Sequence, residues 1–148
     1  SEKQKLIENI DSIHTISTDH CPFTSSEKNV GIDDIPMGIG GLGYSFQQMY
    51  RLFGDSVIDR FTVNQAKTHG MYPRKGVLAE GSDADITIFR RIEPAVIDDI
   101  RGNSDYSVFT GLEETIRVCT VLSRGEFVMK DGVIKAEKGR GQYIRRKL

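Results

Sequence analysis

The sequence predicts an α/β chain in two unlike parts, a strand, glycine-rich loop and helices followed by a run of strands. Three observations carry this. "SIHTIST" (Ser12 to Thr18) is rich in alternating β-branched residues and runs into Asp19-His20-Cys21-Pro22. Leu42, Phe46, Met49, Tyr50 and Phe53 recur at helical spacing. Beyond "YPRKG" (Tyr72 to Gly76) only short alternating runs and glycine turns remain, so a boundary falls near Gly76.

An acid where a strand ends, followed by a glycine-rich loop and a helix, stands where α/β barrels hold their functional groups. Asp19 is such an acid. Period-2 geometry sends Ile13, Thr15, Ser17 and Asp19 to one side and His14, Ile16, Thr18 and His20 to the other, so Asp19 and His20 are not expected to serve one site. A carboxylate there can bind a cation or take a proton, and it can equally cap a turn. His20 and Cys21 read as support for the strand end, by hydrogen bonding and by packing.

From Ser25 to Gly43 the chain reads as loop, with Gly31, Pro36, Gly38, Gly40, Gly41 and Gly43 crowding one region. Such density lets a backbone approach a ligand closely or simply turn, and the spacing matches neither a phosphate loop nor a dinucleotide fingerprint. The helix from Leu42 is expected to end at Gly54, with its aromatic stripe in the core. A further helix starts at Thr62, with Gln65 placed for a capping box, Phe61 and Ala66 as staple, and Gly70 as stop. His69, in its last turn, complements the helix dipole. "DITIF" (Asp85 to Phe89) is a short strand, and "TIRVCTVLSRGEFVMKDGVIKAE" holds two or three, joined by turns at Arg124-Gly125 and Asp131-Gly132. In "GSDADI", Gly81 and Asp83 suit a turn and Asp85 precedes a strand, while Arg74-Lys75 reads as a connector.

Composition narrows the partners. A chain of 148 residues holds one domain or two small ones. With 20 Lys+Arg against 21 Asp+Glu and a formal charge of -1, no overall field exists to hold nucleic acid or an anionic membrane. The final "KAEKGRGQYIRRKL" is locally basic (Lys135, Lys138, Arg140, Arg145, Arg146 and Lys147 against Glu137) and reads as a solvated tail or subunit contact. Cys21 and Cys119 show no CxxC spacing, which favours a reducing, cytoplasmic setting. No apolar run approaches the roughly 18 residues of a membrane span, and no signal-peptide pattern opens the chain. The opening at Ser1 without Met reads as the interior of something longer.

"STDHCPF" (Ser17 to Phe23), Glu27-Lys28, "IPMGIGGL" (Ile35 to Leu42), "YPRKGVLAEGSDADITIF" (Tyr72 to Phe89), "SDYSVFTG" (Ser104 to Gly111), "SRGEFVMKDG" (Ser123 to Gly132) and "GRGQYIRR" (Gly139 to Arg146) stand in that order. Together they resemble the C-terminal portion of the dihydropyrimidinase and hydantoinase branch of the cyclic amidohydrolases, from about Thr15 to Arg146. The resemblance implies a C-terminal fragment of a metal-dependent (β/α)8 barrel: residues 1–76 give its last strand, glycine-rich loop and helices, and 77–148 give strands of a β-sandwich domain and the tail. It also implies a binuclear divalent metal centre, usually Zn2+, a bridging hydroxide, a cyclic amide or imide substrate, and a homotetramer. Asp19 then matches the family's metal ligand and base, which activates the hydroxide and passes its proton to the leaving nitrogen. Met37, where the family often has Asn, lies in the loop whose backbone contacts the substrate ring. The family's HxH pair, carbamylated Lys and two further His find no match, because only His14, His20 and His69 occur. A whole barrel takes about 250 residues, so this chain alone is expected to be inactive. The alternative is a non-catalytic dihydropyrimidinase-like scaffold or assembly module, against which the retained Asp19 argues.

Overall fold

A computed structural model describes residues 1–146, so Lys147 of the basic tail lies outside the described residues. The helices are α1 (Glu2–Glu8), α2 (Ser25–Lys28), α3 (Ser45–Phe53), α4 (Ile58–Phe61) and α5 (Val63–Thr68), with short 3-10 turns at Ile10–Ser12, Ile32–Asp34 and Gly54–Val57. The strands are β1 (Ile86–Val96), β2 (Glu113–Ser123), β3 (Glu126–Lys130) and β4 (Val133–Ile134), in the order β1-β2-β3-β4. The chain divides into two compact units. One comprises 1–16, 55–89 and the residues from 118 onward, and the other comprises 17–54 and 90–117.

In the first unit, the predicted strand over Ser12–Thr18 does not form. A strand exists only beside a neighbour to pair with, and periodicity cannot supply the neighbour. Side chains take the carbonyls instead. Arg60 donates through Nε to Ile13 at 2.8 Å and through Nη2 to Ile10 at 3.0 Å. Asn64 donates to the His14 carbonyl at 2.8 Å, and Gln65 to that of Ile16 at 2.6 Å.

This diverts the predicted capping box of α5. Gln65 is occupied by Ile16, and the Thr62 hydroxyl donates back to Ile58 at 2.8 Å, so α5 has no side-chain cap at its start. Its end matches expectation. Gly70, at φ +65, donates to Lys67, and Met71 donates to Ala66, two bonds that close the last turn around a left-handed residue.

The turns Arg124-Gly125 (φ 53 and 80) and Asp131-Gly132 (φ 50 and 78) both have two positive φ values, the twist that antiparallel neighbours require. β3 pairs antiparallel with β2 on one side and β4 on the other, and the β2–β3 register shifts between Val121 and Leu122. β1 runs well past Phe89, the end expected from periodicity, because pairing carries it through Pro94.

In the second unit, α3 begins at Ser45, three residues later than predicted, and stops at Gly54 with φ +61. It buries Gln47 and Tyr50, and Tyr44, Ile97 and Ile116 join them in the core.

Gly76, at φ +83, is pressed on α5: an added Cβ would stand 2.6 Å from the Ala66 Cβ and 3.0 Å from the Val63 Cα. Gly81, at φ +84, faces open space. Gly76→Ala is therefore expected to cost about 2–4 kcal/mol, strain plus collision, and Gly81→Ala about 1 kcal/mol, strain alone. Urea midpoints test this, and a Gly76→Ala chain no weaker than Gly81→Ala would refute the close packing.

Candidate functional site

The loop 38–42 clasps residues 18–21. Cys21 donates its N–H to the Ile39 carbonyl at 3.1 Å, and the Leu42 N–H donates to His20 Nδ1 at 3.0 Å. An isolated parallel bridge joins His20 to Ile39. The contact is close enough to exclude side chains. A Cβ on Gly38 would meet the Cys21 carbonyl oxygen at 2.6 Å, and one on Gly41 would meet the Thr18 Cβ at 2.8 Å. The glycines thus serve a backbone-to-backbone approach. His20 supports the segment through Nδ1, which leaves the proton of a neutral imidazole on Nε2.

Asp19 lies inside this clasp with φ 44, a left-handed conformation that Asp tolerates better than most residues. The strand-like alternation therefore ends before it. Its side chain is exposed, and no described residue hydrogen-bonds or ion-pairs with it. It caps no turn.

The next segment is anchored by charge. Thr24 and Glu27 form a capping box over α2, a pattern readable as Thr-x-x-Glu. The Thr24 N–H and then its hydroxyl hold the Glu27 carboxyl below its usual range. Asp105, from the "SDYS" stretch, accepts from the Ser25 hydroxyl and from its N–H at 2.7 Å, and both lower its pKa. Ser104 donates to the Phe23 carbonyl at 2.8 Å. Lys28 then reaches the carbonyls of Pro36 at 2.5 Å and Gly38 at 2.7 Å. Met37, between them, is 94% exposed.

A second polar cluster was not signalled by the sequence. Tyr44, 2% exposed, donates its hydroxyl to Asp99, while Arg101 stacks 4.0 Å from the Tyr44 ring centroid and binds Asp99 at 3.2 Å. Burial first, then Asp99, pushes the Tyr44 phenol far above its ordinary range, and the Tyr44 hydrogen bond lowers Asp99. Glu114, 3% exposed, receives Arg117 Nη2 at 2.6 Å and Nε at 3.1 Å on Oε1, and its Oε2 has no partner among the described residues. These side chains, with Asp98, line a cavity of about 290 Å3. A smaller cavity of about 20 Å3, roughly one water, lies beside His20, Tyr44 and Tyr106. Asp19 and Met37 line neither.

"PRKG" and "GSDADI" prove to be one ionic cluster. Lys75 binds Asp83 at 2.8 Å and Asp85 at 2.5 Å, Arg74 binds Asp83 at 3.1 Å, and the Arg124 N–H binds Asp85 at 2.8 Å. Every acid here is held by a base or an amide, so the cluster is a connector between turn and strand.

No group of three or more His, Cys, Asp or Glu side chains able to hold a metal ion occurs among the described residues. Among the described residues Asp19 has no companion ligands, and those residues do not fit a binuclear centre. No helix of the described residues is long and apolar enough to cross a membrane.

The chain belongs to the amidohydrolase family, whose model matches residues 3–128. Within that family it is similar to D-hydantoinases. The D-hydantoinase of Streptomyces coelicolor is 36% identical over 146 residues, which cover 90% of this chain and 31% of that protein. The solved D-hydantoinase (dihydropyrimidinase) from Thermus sp. superposes with a TM-score of 0.89 at 30% identity, covering 97% of this chain and 34% of that one. The D-hydantoinase from Bacillus sp. AR9 gives 0.79 at 35% identity, covering 89% and 32%. The chain spans about a third of the length of these relatives.

The ionic cluster generates a pH dependence. The Lys75 hydrogen bond leads in lowering Asp83; at Asp85 burial opposes, and Lys75 with the Arg124 N–H outweighs it. Burial likewise works against the Lys75 ammonium, yet its two carboxylates raise it. Depressed carboxylates contribute stability that is present above their unfolded pKa of about 4 and lost as pH falls through the folded values. The raised ammonium contributes stability that is present below about 10.4 and lost as pH rises through its folded value. Lys75→Met should flatten the loss of stability below pH 4 relative to the unaltered chain, read from urea midpoints. An identical acid profile in the variant would contradict the cluster.

Proposed function

We propose that the whole protein is a cyclic amidohydrolase of hydantoinase or dihydropyrimidinase type, and that this chain supplies its C-terminal portion. In this reading residues 1–76 close the catalytic barrel domain and 77–148 contribute β-sandwich strands and the tail. The substrate is a cyclic amide or imide. Hydrolysis adds water at the ring carbonyl carbon, breaks the carbon–nitrogen bond and delivers a proton to the ring nitrogen. A carboxylate within reach can carry that proton. Asp19 is the candidate, and one observation carries the assignment: its carboxylate, exposed and unpaired among the described residues, stands on the segment that the glycine loop 38–42 clasps backbone to backbone.

The reading includes a pair of divalent cations, zinc the expected one, which would supply Lewis-acid polarisation and hydroxide at neutral pH when bound in the whole protein. Asp19 would be one ligand, and the rest have to lie outside residues 1–146. Met37 belongs to the loop that meets the ring. The similarity to D-hydantoinases supports the substrate class, and a cytoplasmic homotetramer completes the proposal. A non-catalytic scaffold would have no use for an unpaired acid at this place.

The purified 148-residue chain should retain no stoichiometric zinc after dialysis and should leave hydantoin and dihydrouracil intact. In the full-length protein, Asp19→Asn should lower kcat by about 1000-fold or more while the assembly keeps its size on gel filtration. Near-normal turnover in that variant would remove Asp19 from the mechanism.

A further inference from the structure

Lys28 does more than stabilise a loop. Its side chain is half-buried, with Nζ 5.2 Å from the Phe23 ring centroid, and its stem rises from α2, which the Thr24–Glu27 box and Asp105 fix in place. The ammonium donates to two carbonyls two residues apart, Pro36 at 2.5 Å and Gly38 at 2.7 Å. Such charge-assisted bonds are short and strong. The peptide between Pro36 and Met37 is trans, so its C=O and N–H point in opposite directions. Fixing the Pro36 carbonyl on Lys28 therefore turns the Met37 N–H to the far side. That N–H, the Gly38 N–H and the Met37 C=O make no hydrogen bond with any described residue. Cys21 packs against Gly38 from its own side, which leaves the backbone little room to relax.

We infer that Lys28 is a positioning residue for the substrate loop: by tying the carbonyls flanking Met37 it presents the unpaired Met37 N–H to a carbonyl on the amide edge of a cyclic substrate. The substrate half of this inference rests on the hydrolase reading above, and the clamp itself does not. Loss of the clamp weakens ground-state and transition-state binding alike, so it raises KM and leaves kcat nearly unchanged.

Two measurements test it. In the 148-residue chain, Lys28→Met should loosen loop 38–42 and so speed amide hydrogen exchange at Cys21 and Leu42, whose N–H groups bond the Ile39 carbonyl and His20 Nδ1, about tenfold or more, with α3 amides unchanged. Unchanged exchange, or an equal rise in α3, overturns the clamp. In the full-length protein the same variant should raise KM for a cyclic amide about tenfold with kcat within about threefold, and Lys28→Arg, which keeps charge and donors, should recover most of the loss. Faster exchange with KM unaltered overturns the positioning role. An unaltered full-length protein that opens no cyclic amide removes the substrate half together with the hydrolase reading, and the exchange result tells that failure from failure of the clamp.

Discussion

A backbone carbonyl is a strong hydrogen-bond acceptor, and the run from Ile10 to Ile16 has no strand beside it to supply donors. Arg60, Asn64 and Gln65 answer that need from α4 and α5, and the positions of both short helices follow from it. Arg60 binds three backbone carbonyls, those of Ile10, Ile13 and Ser56, which makes it a stand-in for a missing ladder. The other unit meets the same requirement in a second way. There residues 18–21 are satisfied by the backbone of loop 38–42, and glycine is what lets two backbones come that near.

What could be read from the sequence was whatever depends on neighbours in the chain. The Gly54 and Gly70 stops and the two positive-φ turns need only local geometry, and they stand where expected. The strand over Ser12–Thr18 and the Thr62 cap depend on remote partners. Thr62-x-x-Gln65 and Thr24-x-x-Glu27 look alike on paper. Glu27 closes its box, whereas Gln65 is drawn off by a carbonyl 49 positions away. Charges were legible by type and not by pairing: Arg74-Lys75 and Asp83/Asp85 read separately as connector and turn, and they are one cluster.

The candidate site divides along the same line. Asp19 could be found because its place, an acid ahead of a glycine-rich loop, is itself a sequence pattern. Lys28 could not, because its partners are main-chain oxygens that no side-chain pattern marks. Tyr44 and Asp99 lie 55 positions apart, and buried Glu114, paired with Arg117, sits in what reads as an ordinary strand. An acid so enclosed costs desolvation free energy, and removing the exposed Arg117 would leave the Glu114 charge stranded.

The clasp also constrains how this region can diversify. Gly38 and Gly41 have no space for a methyl group, whereas the side chain between Gly38 and Pro36 is almost wholly in solvent. Natural drift, or a saturation library, could replace Met37 freely at little cost to folding. Gly38 and Gly41 would return mostly misfolded clones, so evolvability in this stretch falls to the codons between them and to that of Met37.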